Sequence, residues 1–131
     1  MKQITIPLLS ATGNITNCVI SYPTKLPWFI QFTSTDFSDK IFYGDDLFNC
    51  LCDLRIFLEE HNTKILCNGA RIDTYPSSLL RQMGGARKVY ILTMGKQATQ
   101  SINIFDKTNV EQIGTVNEQF SFYQKWIESL K

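Results

Sequence analysis

Four leucines, Leu47, Leu51, Leu54 and Leu58, recur at spacings of four, three and four. An α-helix puts such positions on one face, so this stretch must bury that face against something. What precedes it has the other period. Lys2–Leu8, Asn17–Tyr22 and Trp28–Thr33 alternate polar and apolar residues, as half-buried strands do. Ala11-Thr12-Gly13-Asn14 is a turn cluster between the first two, and Pro23 and Pro27 bracket the turn between the next two. Lys40–Tyr43 reads as a fourth short strand closed by Gly44. Strands first and a helix laid on them afterwards is the α+β arrangement.

The helix has a clear start. Asp45 or Asp46 can accept hydrogen bonds from its free N–H groups, and either charge suits the positive end of the helix dipole. Phe48, Cys50 and Phe57 widen the leucine face, and the helix should end near His61-Asn62. Beyond it, Lys64–Cys67 reads as a strand and Asn68-Gly69 as a turn. Ser77 or Ser78 caps a short helix whose apolar side is Leu79, Leu80 and Met83, stopped by Gly84-Gly85. Arg87–Met94 and Ser101–Phe105 are strands. Thr115-Val116-Asn117-Glu118 fits a capping box. After it, Val116, Phe120, Tyr123, Ile127 and Leu130 recur at helical spacing, with Trp126 beside them, predicting a long C-terminal helix packed across a sheet. The expectation is one α+β domain over residues 1–131, an antiparallel or mixed sheet packed with a central helix and that C-terminal helix.

The chain's 131 residues, 44% hydrophobic and 19% charged, suit one globular domain. The first residues read as a strand and not as a signal peptide, and no apolar run approaches the roughly 20 residues of a membrane helix. Cys18, Cys50, Cys52 and Cys67 form no CxxC pair. They are expected to be reduced and mostly buried, which favours a cytoplasmic setting. His61 is the only histidine. A Cys/His metal site is therefore poorly supplied, and neither a metal nor a cofactor is expected. A Ser–His–acid triad would have to use His61 at a polar helix end, where an imidazole more simply meets the negative end of the dipole. No catalytic constellation emerges, so no enzyme is expected.

Net charge is +1, which does not point to a nucleic-acid binder, but the charge is segregated. From Asp36 to Glu60 there are seven acids (Asp36, Asp39, Asp45, Asp46, Asp53, Glu59 and Glu60) and two bases, a balance of −5. From Lys64 to Lys96 there are six bases and one acid, a balance of +5. If the acids share a surface, they attract a basic partner; otherwise they are a solvated face with internal ion pairs. The basic segment offers rival readings. Arg71, Asp73, Tyr75, Arg81 and Arg87 form the one polar cluster that could serve a small enzyme or a ligand-binding domain. Gly84-Gly85 ahead of Arg87 and Lys88 could face a phosphate, though without the spacing of a phosphate-binding loop. Lys64–Lys96 could also serve a nucleic-acid module.

One string carries a further signal. Cys67-Asn68-Gly69-Ala70-Arg71-Ile72-Asp73-Thr74-Tyr75-Pro76-Ser77, then Arg81-Gln82-Met83-Gly84-Gly85-Ala86-Arg87-Lys88-Val89-Tyr90, resembles a family of small bacterial immunity proteins. The likeness continues through Ile104-Phe105-Asp106 to Gly114-Thr115-Val116, Gln119, Phe122-Tyr123 and Trp126, covering about the C-terminal half. Such proteins belong to toxin systems that include contact-dependent growth inhibition. The resemblance implies a cytoplasmic protein without catalytic residues that binds the C-terminal domain of a cognate toxin. Many such toxins are nucleases with basic clefts. It places specificity in the divergent first half, which holds the acidic segment. Aromatic residues there, Trp28, Phe37, Phe42 and Tyr43, are candidate anchors and also candidate core. No membrane contact is expected, and no oligomeric state is assigned.

Overall fold

The first four strands form a meander: β1 (Lys2–Leu9), β2 (Ile15–Tyr22), β3 (Trp28–Ser34) and β4 (Lys40–Gly44). These come from a computed structural model that describes all residues from Met1 to Lys131. Helix α1 (Leu47–Glu60) follows, and then β5 (Lys64–Ile65), which returns to the free edge of β1. The sheet order is β4-β3-β2-β1-β5 and every pairing is antiparallel. A second antiparallel sheet contains β6 (Thr74–Tyr75), β7 (Lys88–Ile91) and β8 (Ser101–Asn103). Helix α2 (Ser78–Gly84) joins β6 to β7, and helix α3 (Val116–Ser129) ends the chain. The result is a small α+β domain.

Alternation decides which side of the first sheet is buried. Ile6, Leu8, Cys18, Ile20, Ile30 and Phe32 point inward and are at most 1% exposed. Leu47, Leu51, Leu54 and Leu58 of α1 meet them and are fully buried. Each such leucine contributes roughly 1.5–3 kcal/mol by leaving water. The opposite face stays uncovered. It carries a row Gln3–Ser21–Gln31–Ile41 and a row Thr5–Val19–Thr33 in cross-strand register. Val89, Ile104 and Phe105 extend the inner core towards the second sheet, and Tyr22 packs on Phe105 with ring centroids 4.7 Å apart.

Several expectations shift at the boundaries. β5 and β7 are shorter than Lys64–Cys67 and Arg87–Met94, and β8 stops at Asn103. Leu66 N–H still donates to Pro7 of β1, and beyond it Asn68 N–H donates to Asp106 instead. After β7 a tight turn bridges Thr93 to Lys96 through Gly95, whose φ is +77°. Asn68-Gly69 is one turn of 3₁₀ helix rather than a plain turn. The expected apolar side of α2 is not buried, since Leu79 is 59% and Met83 75% exposed.

The C-terminal helix differs most. Its capping box is complete, with Thr115 and Glu118 each accepting the other's backbone N–H. The sheet it packs on is the second one, at β6, and it also lies against α1. Its one buried residue is Gln119, while Phe120 and Leu130 of the expected stripe are 46% and 41% exposed. The contact stripe is Val116, Gln119, Tyr123 and Trp126, turned by about one position. Tyr123 stacks on Tyr75 with centroids 4.0 Å apart, and the Trp126 indole N–H donates to the Lys96 carbonyl at 2.9 Å.

All four thiols are free, and Cys18, Cys50 and Cys67 are buried. Burial pushes Cys18 and Cys50 up to about 12 and Cys67 to about 11, from an ordinary 9.0. Desolvation raises Cys52 as well. A thiol raised in the fold binds protons the unfolded chain has already lost. Stability therefore holds below pH ~9 and falls as the pH climbs above it. At neutral pH iodoacetamide should leave Cys18, Cys50 and Cys67 untouched in the native protein and modify all four cysteines once guanidinium unfolds it. Rapid native labelling of the three, read by mass, would contradict this burial.

Candidate functional site

Helix α1 presents a second stripe, complementary to its leucines. Asn49, Asp53, Ile56 and Glu60 follow one another at four, three and four, and all are exposed. Asp45 extends the line just before the helix. Over 14 residues at 1.5 Å each, α1 is ~21 Å long. The β3–β4 connection closes on its far end. Phe37 packs on Phe57 and His61 with centroids 5.4 and 5.3 Å apart, and this loop carries the exposed Asp36 and Asp39. The Asp36 carboxylate accepts the Thr16 hydroxyl at 2.8 Å. The molecule has three salt bridges, Arg71–Asp73, Arg81–Asp46 and Lys131–Glu128. None involves Asp36, Asp39, Asp45, Asp53 or Glu60.

The other two acids of the segment are spent on the fold. Asp46 is 4% exposed. It caps α1 by accepting Asn49 N–H at 2.7 Å and pairs with Arg81 at 2.8 Å. Glu59 accepts the backbone N–H of Val116 at 2.9 Å, which ties it to the positive end of α3. Both are held within the domain, so the exposed acids outside any salt bridge in this segment number five. Glu60 is the most informative of them. It sits at the negative end of the α1 dipole with no basic residue in that turn, a position that costs stability. His61 closes the helix with Nδ1 2.9 Å from the Phe57 carbonyl, where that nitrogen donates. Of the candidate anchors, Trp28 is core, and Phe37 and Phe42 are half-buried against it. Tyr43 is 67% exposed but points to the uncovered face of the sheet, opposite Phe29. Ile56, 44% exposed and lying between Asp53 and Glu60, is the apolar residue in the acidic line.

The Arg71, Asp73, Tyr75, Arg81 and Arg87 cluster separates into three places. Arg71 and Asp73 hold each other through two hydrogen bonds of 2.8 Å. Arg81 lies over the Phe48 and Tyr75 rings at 5.2 and 5.6 Å while it pairs with Asp46. Burial raises the Tyr75 hydroxyl above its ordinary value. Arg87 is exposed elsewhere and pairs with no acid. The Gly84-Gly85 turn offers no free cradle of N–H groups, because Ala86 N–H donates to Leu80 and Arg87 N–H to Gly84.

Next to α1 lies a cavity of about 350 Å³ lined by Leu58, Ile65, Ile113 and Glu118 among others. Its wall includes Arg55, buried at 3% exposure with no carboxylate partner. Its guanidinium donates to the Gly69 carbonyl (3.3 Å), the Gly114 carbonyl (2.9 Å) and Gln119 Oε1 (2.6 Å). The Gln119 amide in turn donates to the Gly69 and Arg71 carbonyls, each at 2.9 Å. This knot joins α1, the 3₁₀ turn and α3; from sequence alone Arg55 has no role beyond its charge, and Gln119 stands out only within the resembling string. No group of three or more His, Cys, Asp or Glu side chains is arranged to hold a metal ion, and no helix is long and apolar enough to cross a membrane.

No protein-family model matches the chain, and no curated protein matches it.

Proposed function

We propose that this domain is a binding protein that neutralises a toxin domain by occluding a basic surface, as the immunity proteins that its second half resembles do. The observation that carries the proposal is the exposed α1 line of Asp45, Asp53 and Glu60, with Ile56 inside it and no internal cation satisfying any of the three. Charges kept free on a rigid helix steer a basic partner and fix its register, and the enclosed apolar residue supplies the desolvated contact. Asp36 and Asp39, at the end of the line, act as rim charges that speed encounter. A nuclease cleft, built to hold phosphates, has the complementary charge.

The test is a pull-down from the source cells with the tagged domain, beside a variant carrying Asp53→Lys and Glu60→Lys. The expected partner is the C-terminal domain of a larger toxin. The double reversal should weaken its binding by about 3 kcal/mol, or roughly 100-fold, without lowering the melting temperature. Equal retention of the partner by both proteins would remove α1 as the binding surface.

A further inference from the structure

On a different side of the molecule a groove of about 400 Å³ opens between the first sheet, α2 and the second sheet. Its floor is apolar, with Ile4, Tyr22 and Leu80 half-buried above the fully packed Ile104 and Phe105. Three cations from two separate places in the chain line it. Lys2 opens β1 opposite Tyr22, and Arg87 and Lys88 lead into β7. All three are exposed, and none makes a salt bridge. The one acid lining the groove, Asp106, accepts the Asn103 side-chain amide at 3.2 Å. Met83 forms part of the α2 wall and is 75% exposed, the largest exposure among the large apolar side chains.

We infer that this groove is a binding site for a small anionic amphiphile, a phosphate, sulfonate or carboxylate carried on an aromatic or aliphatic body. The size lies at the lower end of the ~300–1,000 Å³ typical of small-molecule sites. Charge complementarity selects the head group: Lys2, Arg87 and Lys88 line one groove against the single acid Asp106, none of them in a salt bridge, and an arginine fork suits a planar or tetrahedral oxyanion. The apolar floor selects the body. Met83 supplies the adaptable wall, because an unbranched thioether chain folds onto varied shapes. A bound body also accounts for an apolar residue that the fold leaves in water. The groove lies apart from the acidic line on α1, so this inference stands without the proposed neutralising function.

The probe is anilinonaphthalene sulfonate, an anionic aromatic whose fluorescence rises in apolar sites. It should bind the native protein saturably, with near-UV circular dichroism unchanged. Arg87→Ala combined with Lys88→Ala should weaken that binding at least tenfold, and Met83→Asp should weaken it similarly. Asp53→Lys with Glu60→Lys should leave it as it was. Phenylnaphthylamine, which has the same body without the sulfonate, should bind at least tenfold more weakly. Equal binding of the two probes, or binding untouched by the Arg87 and Lys88 changes, overturns the inference. Displacement of the probe by an acidic peptide at lower concentration than by dodecyl phosphate also overturns it, in favour of a protein partner.

Discussion

Replacing Gly85 by alanine should cost the fold about 2–4 kcal/mol, while the same change at the adjacent Gly84 should cost nothing. Gly85 ends α2 with φ at +63°, in the left-handed region where a Cβ meets the following carbonyl. That Cβ would also drive into the indole of Trp28, itself only 8% exposed at the start of β3. The Gly85 carbonyl meanwhile accepts the Leu47 N–H at 2.7 Å, satisfying one free donor at the start of α1. One residue thus joins a strand and two helices. Gly84 has ordinary backbone angles, and its Cβ would meet only the Arg87 side chain at 3.5 Å. Alanine there restricts the unfolded chain and suits a helix, so it should stabilise by about 0.4–1 kcal/mol. Urea melts of the two variants, followed by tryptophan fluorescence, separate these cases. Equal midpoints would mean that the Trp28 packing against Gly85 is wrong.

The second large effect belongs to Arg55. Arg55→Met keeps the length of the side chain but removes its donors. The Gly114 carbonyl and Gln119 Oε1 then lose their donors inside the protein, while the Gly69 carbonyl keeps the Gln119 amide. Each unsatisfied buried acceptor costs about 1–3 kcal/mol, and the expected total loss is about 3–5 kcal/mol. Burial lowers the Arg55 pKa, yet arginine keeps its proton throughout the working range, so this loss should not depend on pH between neutrality and mild acid. Gln119→Met should cost about 2 kcal/mol, since its amide also serves the Gly69 and Arg71 carbonyls. The two changes share partners, so the double variant should lose less than the sum. Additivity within about 0.5 kcal/mol would show that the two side chains act independently.

Much of this architecture is local and therefore legible. The leucine spacing of α1, the Asp46 cap and the Thr115–Glu118 box each depend on residues within a few positions of one another. The face of α3 is not local. Arg55 and the stacked Tyr75 decide how that helix is turned, and neither is near it in sequence. The same reason divides the acids. Asp45 and Asp46 are indistinguishable neighbours until Arg81 arrives from 35 residues further on to claim one of them. Glu59 and Glu60 differ only because Val116 turns its N–H towards the first. The exposed stripe of Asn49, Asp53, Ile56 and Glu60 was, by contrast, already implied by the leucines, being the same helix viewed from behind. The Arg71–Arg87 cluster was near only in sequence.

The strand order also sets a timetable. Within the meander, β1 to β4 pair with their chain neighbours, and α1 follows at once, so these contacts close short loops at small entropic cost. The pairing of Leu9 with Lys64 and the docking of α3 onto Arg55 close long ones. Short-range pairing is the faster process. On a ribosome, which releases the N-terminal part first, the meander and α1 are available to assemble while α3 is still being made. Changes in the meander should then slow refolding, and changes at Gly114 or Gln119 should chiefly speed unfolding.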